Sequence, residues 1–533
     1  MPGGPNSVML PLSFRKPAAS FCPIAARCRN RPYIVTTPST APSSTPSDSA
    51  TDAAPRLSAG QVRAVVIGLM LIILLGALDQ TIVSVALPSM AQQLQGFGLL
   101  AWVVSGYLVA MAVATPIYGK LGDLFGRRAV LSFAIILFLL ASVACAMAQS
   151  MPMLVAARIV QGLGGGGLIS VAQAVIADVV APRERGKYQG YISGMYALAS
   201  VAGPVVGGVL TQWLSWRWIF WINLPIGIAA LLISRRALAQ LPTPRIVRQI
   251  DYLGAVLLSV GLTLLLVAIS RIGQGVRVGE PLNLLLFALA VVTLVIFVRH
   301  ALLTAEPILP LSLFEIPTVR LCWGVLFVAF FQLMALSVLI PLQLQMAAGL
   351  PADVAALRLV PLTLAIPLGA FSGGRLMARN GRPKPYQLAG TALVPPVLLA
   401  LAFTPPESML WSSLWMMIAG IGIGLQFPTS LVAVQSAVPP RHIGIATATT
   451  AFFRSLGAAI GVAILTAILL ASLNGPAVGV EAMPGMIDGL HAEPEVVKSA
   501  FRTIFIISAA VAALAFLMVL KLPDTTLAER PAR

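Results

Sequence analysis

Asp79 stands inside an apolar run over residues 64–87, within the stretch LLGALDQTIVSVALP. An ionised carboxyl at the centre of a bilayer costs about 2.5–3.5 kcal/mol on insertion scales. It escapes part of that cost by taking a proton, so the chemistry it offers is proton exchange. Asp79 is the one acid that falls deep in any apolar run of the chain. A second use of the residue is a polar knob that joins helices through a hydrogen bond. Arg158, in the run 152–179, is the candidate partner. Asp79 lies nine residues before Pro88 and Arg158 six after Pro152. In antiparallel helices rising 1.5 Å per residue, the two depths agree to within roughly 5 Å. An arginine there can displace the proton in one conformation and withdraw in another, or it can snorkel to the headgroups. Arg358 and Arg454 are the other charges inside apolar runs. Arg454 is expected near mid-depth on backbone carbonyls, and Arg358 snorkelling.

The elements that must position these groups follow from composition. The chain has 533 residues, 58% hydrophobic and 10% charged, with a mean hydropathy of +0.91. A soluble protein of this length needs far more charge on its surface. Apolar runs recur fourteen times, from 64–87 to 501–520, each long enough to cross a bilayer as a helix. They are continuous rather than alternating, which excludes a transmembrane barrel. The expected fold is an all-α polytopic membrane protein. Most of the net charge of +17 lies in alternate connections, such as Lys120, Arg127 and Arg128, then Arg183, Arg185 and Lys187. That asymmetry places both termini in the cytoplasm and makes the charge a topology signal, not a nucleic-acid footprint. Residues 1–60, rich in Ser, Thr, Pro and Ala, read as a disordered cytoplasmic tail with no apparent signal peptide.

Several patterns lead nowhere. Cys22 and Cys28 fit no zinc spacing, Cys145 and Cys322 sit alone as packing residues, and His300, His442 and His491 are scattered. Gly162, Gly164 and Gly167 satisfy the dinucleotide fingerprint but lie inside an apolar run with no preceding strand. No Walker A sequence occurs either. Neither a cofactor nor ATP is expected, and the proton gradient is the expected energy source.

The chain repeats itself. GKLGDLFGRR (119–128) aligns with GRLMARNGRP (374–383), and GGGL (165–168) precedes Pro182–Gly186 much as GIGL (422–425) precedes Pro440–Gly444. The offset stays between 255 and 258, so two six-helix bundles, 61–240 and 317–522, are related by duplication. A helix pair at 250–300 is inserted between them, and 523–533 is a second tail. Duplicated bundles suit a transporter whose halves rock around a midplane site.

On these motifs the chain resembles the major facilitator superfamily, in its fourteen-helix drug:proton antiporter branch (EmrB/QacA-like). GKLGDLFGRR resembles the loop between the second and third helices, and RIVQGLGGGG (158–167) the fourth-helix motif with its arginine. GYISGMYALASVAGPVVGG (190–208) resembles the antiporter motif, with Ala199 where glycine is usual. LDQTIVSVALP (78–88) resembles the first-helix motif, with Ser84 where asparagine is common.

The resemblance implies a cytoplasmic gate of Gly119, Asp123, Gly126, Arg127, Arg128 and Asp178, in which Asp178 pairs with Arg127 and Asp123 faces the helix beginning near Gly444. It implies an antiporter hinge at Gly203, Pro204, Gly207 and Gly208, where a missing backbone donor and bare glycines favour a kink and close approach. Candidate substrate contacts are Gln161, Gln332, Met334, Gln343 and Arg454. The expected activity is export of hydrophobic small molecules, neutral or monocationic, from the cytoplasm in exchange for protons, through the plasma membrane of a bacterium. A dedicated exporter of one endogenous metabolite is the alternative within transport. An enzyme acting on lipid-linked substrates needs convergent catalytic groups, and the acids here are isolated. A receptor that binds without flux is a third class.

Overall fold

The computed structural model describes residues 59–95, 99–240, 251–273, 276, 278–350, 352–473 and 494–527. The described residues form sixteen α-helices and three short 3-10 turns. In the first half these are α1 (Ala59–Leu94), α2 (Leu100–Phe125), α3 (Arg127–Ala146), α4 (Met151–Val179), α5 (Pro182–Trp213), α6 (Trp218–Trp221) and α7 (Asn223–Ala237). Then come α8 (Tyr252–Gly273) and α9 (Pro281–Leu303). The second half comprises α10 (Pro317–Ala348), α11 (Ala352–Leu357), α12 (Val360–Asn380), α13 (Lys384–Phe403), α14 (Met409–Ala437), α15 (Ile443–Leu473) and α16 (Pro494–Leu520). Among the described residues, fourteen helical segments are long and apolar enough to cross a membrane. The tail 1–58, with Cys22 and Cys28, falls outside the described residues, as do His491 and most of the 474–499 connection.

Local chemistry sets the helix ends. Proline opens α5, α9 and α10, where its missing N–H is an orphan in any case. The Ser150 hydroxyl caps α4 by accepting from the Met153 N–H at 3.4 Å. Gly349 and Gly381 close α10 and α12 in the left-handed region, at φ 62° and 66°. The run 217–234 divides into α6 and α7 at Ile222, whose backbone stays helical. The run 352–374 divides into the single turn and a half of α11 and the longer α12.

Packing repeats with the sequence. In the first half α4 lies against α2 and α3, and α1 against α5 and α7; in the second, α14 lies against α12 and α13, and α10 against α15 and α16. Between the halves, α5 packs on α12 and α15 on α2, so each half contributes its fifth long helix to the other. The inserted pair, α8 and α9, packs on itself and lays α8 against α2 and α15. Its apolar face there includes Leu258, Leu262 and Leu266, against Ala112 and Val113.

The glycine run of α4 is a packing surface. A methyl on Gly164 would sit 2.7 Å from the Phe138 backbone nitrogen on α3, and one on Gly166 would sit 2.6 Å from the Met111 carbonyl on α2. In the corresponding run of α14, Gly422 and Gly424 press against Val394 on α13 and Ile366 on α12. Bare backbone lets three helices meet closely, and this accounts for the fingerprint-like spacing.

Candidate functional site

The first site is a closed polar network inside the first bundle. Asp79 on α1 has no solvent exposure and Arg158 on α4 has 1%. Asp79 Oδ2 accepts from Arg158 Nη1 at 2.7 Å. Its Oδ1 accepts from Gln161 Nε2 at 3.0 Å and from Asn223 Nδ2 at 2.9 Å. The same Arg158 nitrogen donates to Gln161 Oε1 at 2.7 Å, while Arg158 Nε donates to the Val103 carbonyl at 3.2 Å. The guanidinium lies 4.1 Å from the centre of the Tyr107 ring. Asn223 also donates to the Ser142 hydroxyl at 3.0 Å, which donates onward to the Phe220 carbonyl. Both carboxylate oxygens are thus occupied by donors from α4 and α7, as a buried ion pair requires if it is not to be a large net cost. Arg158 does not snorkel.

The second site is a latch where α2 and α15 cross. A methyl on Gly119 would sit 2.7 Å from the Gly444 carbonyl and 2.5 Å from Ala448 Cβ. That contact brings the start of α15 onto the carboxylate of Asp123. Asp123 accepts from the Gly444 N–H at 3.2 Å and the Ile445 N–H at 3.0 Å, complementing the positive end of the helix. Arg127 bridges the carboxylates: Nη2 meets Asp123 at 2.5 Å and Nε meets Asp178 at 2.8 Å. Gly126, at φ 86°, turns the chain between α2 and α3 and starts Arg127 back toward Asp123. Arg128 is exposed, and it stands apart from these three residues because one position round the helix turns it outward.

The duplicate of this crossing has different chemistry. Ala378 occupies the position of Asp123, 255 residues on. Gly186 of α5 and Gly374 of α12 make the close contact. The bond between halves comes from Arg183, whose Nε donates to the Ala378 carbonyl at 2.9 Å and Nη2 to that of Arg379 at 2.6 Å. One crossing sets a carboxylate on a helix start; the other sets a cation on a helix end.

The Major Facilitator Superfamily description matches residues 69–462, a span that contains the network and both crossings. The chain belongs to the Major Facilitator Superfamily. An uncharacterized superfamily transporter of Mycobacterium tuberculosis is 35% identical over 427 residues, which make up 77% of this chain and 61% of that protein. The alignment thus spans only about three fifths of the mycobacterial relative's length. Multidrug resistance protein 3 of Bacillus subtilis is 33% identical over 400 residues, or 75% of this chain and 78% of that one. Among solved structures, the proton:xylose symporter XylE superposes with a TM-score of 0.58 at 16% identity, covering 88% of this chain and 98% of its own length. At that identity the likeness shows the fold alone.

In this superfamily member the hinge glycines divide. Gly203 and Gly207 press α5 onto α1 at Thr81 and Ile82, whereas a methyl on Gly208 would meet nothing within 4 Å. The Thr81 hydroxyl donates to the Ala199 carbonyl at 2.9 Å across that contact. Pro204 lies within α5 and faces outward.

The expected substrate contacts do not gather into one place. Gln161 is consumed by the Asp79 network. Gln332 is buried within the second bundle and donates to the Ser508 carbonyl at 2.7 Å, beside a small void shared with Thr391 and Gln426. Met334 is exposed and Gln343 half-buried, further along α10. Arg454 does not rest on backbone carbonyls: it lies near the Tyr196 side chain and 4.3 Å from the centre of the Phe330 ring. Arg358 is half-buried.

The sequence reading missed Asn223, Ser142 and Tyr107, which complete the network, and Arg183, which was counted only as a topology charge. Asn223 left one usable signal, an amide in the apolar stretch WINLPIG. Ser142 and Tyr107 left none, since both are ordinary in packed membrane helices.

Proposed function

We propose that this protein is a secondary active exporter that exchanges inward-moving protons for outward-moving hydrophobic small molecules across the cytoplasmic membrane. The observation that carries this reading is the sealed ion pair of Asp79 and Arg158, with Gln161 and Asn223 on the free carboxylate oxygen. A proton on Asp79 cancels the attraction to Arg158 and turns an acceptor into a donor, so the network must rearrange.

Helix α4 links that change to the latch. It carries Arg158 and, twenty residues on, Asp178. At 1.5 Å per residue the two are about 30 Å apart on one rigid rod. Asp178 holds Arg127, which holds Asp123 against the start of α15. A latch closed on the cytoplasmic side favours the state that opens outward, in which protons load. Protonation releases Arg158, shifts α4, and loosens the latch toward the inward-open state. Cargo entering from the cytoplasm then displaces the proton. The two states need only be near equal in energy for weak contacts to bias them.

One deep carboxylate implies about one proton per cycle through this site. Of the neutral and monocationic cargo that this implies, the neutral is favoured, because Arg454 adds a fixed positive charge between the halves. The test uses everted vesicles loaded with a pH reporter. Adding a hydrophobic substrate to wild type should release protons, and Asp79→Asn should abolish the signal while leaving the protein in the membrane. Undiminished release by the variant would remove Asp79 from the mechanism.

A further inference from the structure

Tyr196 and Arg454 are equivalent positions of the duplicated halves. Arg454 follows Tyr196 by 258 residues, as Gly444 follows Gly186. Each lies ten residues along its helix from the glycine crossing, or about 15 Å, half the thickness of a bilayer core. Their side chains lie close to one another, so equivalent levels of α5 and α15 face each other across the two halves.

Arg454 differs from the other deep arginine. Arg158 is matched by Asp79; Arg454 has no carboxylate partner among the described residues, and its Nε has no hydrogen-bond acceptor. One face of its guanidinium lies on Phe330, and Phe330 stacks on Phe427 with centroids 4.5 Å apart and planes 22° apart. Tyr196, Phe330, Phe427 and Arg454 are all half-buried. A guanidinium at this depth without a counter-charge is costly, and the aromatic faces repay only part of it. The arrangement is a cation with a spare donor, a nearby phenol, and a flat apolar wall, where the two halves face each other.

We propose that Arg454, Tyr196, Phe330 and Phe427 form a cargo site for lipophilic weak acids: aromatic molecules bearing a carboxylate or phenolate. The planar guanidinium matches a carboxylate by a two-pronged hydrogen bond, and the rings take the aromatic body of the ligand. A monocation is repelled by the same charge. The proposal rests on the reading of this protein as an exporter and adds an anionic class to the neutral cargo argued for above.

The test measures equilibrium binding to the purified full-length protein in lipid nanodiscs, with empty nanodiscs subtracted. The probes are 2-naphthylacetate, its neutral amide 2-naphthylacetamide, and the cation 2-(2-naphthyl)ethylammonium. Wild type should bind the carboxylate at least tenfold more tightly than the amide, and the ammonium most weakly. Arg454→Gln should erase the preference for carboxylate over amide, Arg454→Lys should keep part of it, and Tyr196→Phe should reduce it about threefold. If Arg454→Gln fails to fold, as shown by its melting curve, Arg454→Lys and Tyr196→Phe still decide the matter. Equal binding of carboxylate and amide, failure of the carboxylate to bind, or an unchanged preference in the folded variants overturns the proposal. The vesicle assay separates the two readings. An Arg454-dependent acid preference without proton release sinks the antiport reading and leaves the site standing. Proton release by neutral compounds with no acid preference does the reverse.

Discussion

At the scale of single residues, the Asp79 network combines high local cost with pairing of both carboxylate oxygens, while Asn223 Oδ1 and the Tyr107 hydroxyl have no hydrogen-bond partner among the described residues. Removing one partner of a buried ion pair leaves the other charge stranded, typically at about 3–5 kcal/mol. Asp79→Asn should therefore lower the melting temperature of the purified protein more than Arg158→Gln, because a stranded Asp79 can take a proton whereas a stranded Arg158 stays charged. The double variant should recover part of the Asp79→Asn loss, since neither charge is then stranded, yet it should exchange no protons. A double variant less stable than the sum of the singles would contradict the pairing seen here. Asn223→Ala deletes a donor to Asp79 and to Ser142, and a loss of about 1–3 kcal/mol is expected from the unsatisfied buried acceptors. The site was half legible. Asp79 and Arg158 stood out because ionisable residues are rare in apolar runs. Asn223 did not, because an amide is tolerated at many depths and only the fold brings α7 to the carboxylate.

Among elements, contacts between helices depend on where a side chain is absent. Gly203→Ala should push α5 away from Thr81 and slow transport, while Gly208→Ala, which faces open space, should leave the rate within about twofold of wild type. Parallel rate measurements on the two variants check this, and equal effects would show that the motif acts through composition rather than contact. The resemblance supplied the glycines as a group; only the packed helices separate those that touch α1 from the one that does not. The inserted pair has its own anchor. Asp251, just before α8, meets His300 Nε2 of α9 at 2.7 Å and accepts from the Gly254 and Ile308 N–H groups. Burial pushes the Asp251 carboxyl up, but these three partners together hold it below the usual aspartate range. The anchor is therefore present in full above the ordinary aspartate pKa of about 3.9 and is lost as pH falls through the lowered value. Asp251→Ala should increase hydrogen exchange in α8 and α9 at neutral pH and leave α3 and α4 protected.

Across the whole molecule, the two crossings act together. Asp123 on the start of α15 and Arg183 on the end of α12 both join the halves at the same end. The partly exposed Arg183 contact is worth about 1 kcal/mol or less, so losing it shifts the balance of states by at most about fivefold. Hydrogen bonds to the nearly buried Asp123 carboxylate are worth more, about 1.5–3 kcal/mol. Asp123→Asn and Arg183→Gln should each raise the inward-open fraction, and together they should act roughly additively; distance measurements between spin labels on the two halves would show it. No change for Arg183→Gln would mean that the second crossing is held by the glycine contact alone. The sequence by itself determined the helical class, the number of membrane-length segments, the duplication, and the charges that stand out at depth. Those properties are written in local periodicity, composition and spacing along the chain. Tertiary structure alone decided that Gln161 serves the ion pair and not a cavity, that Arg128 stands clear of the latch, and that Arg183 replaces the missing acid of the second crossing. It alone set Arg454 against Tyr196. Each depends on which faces of distant helices meet, and that is fixed by packing among segments hundreds of residues apart.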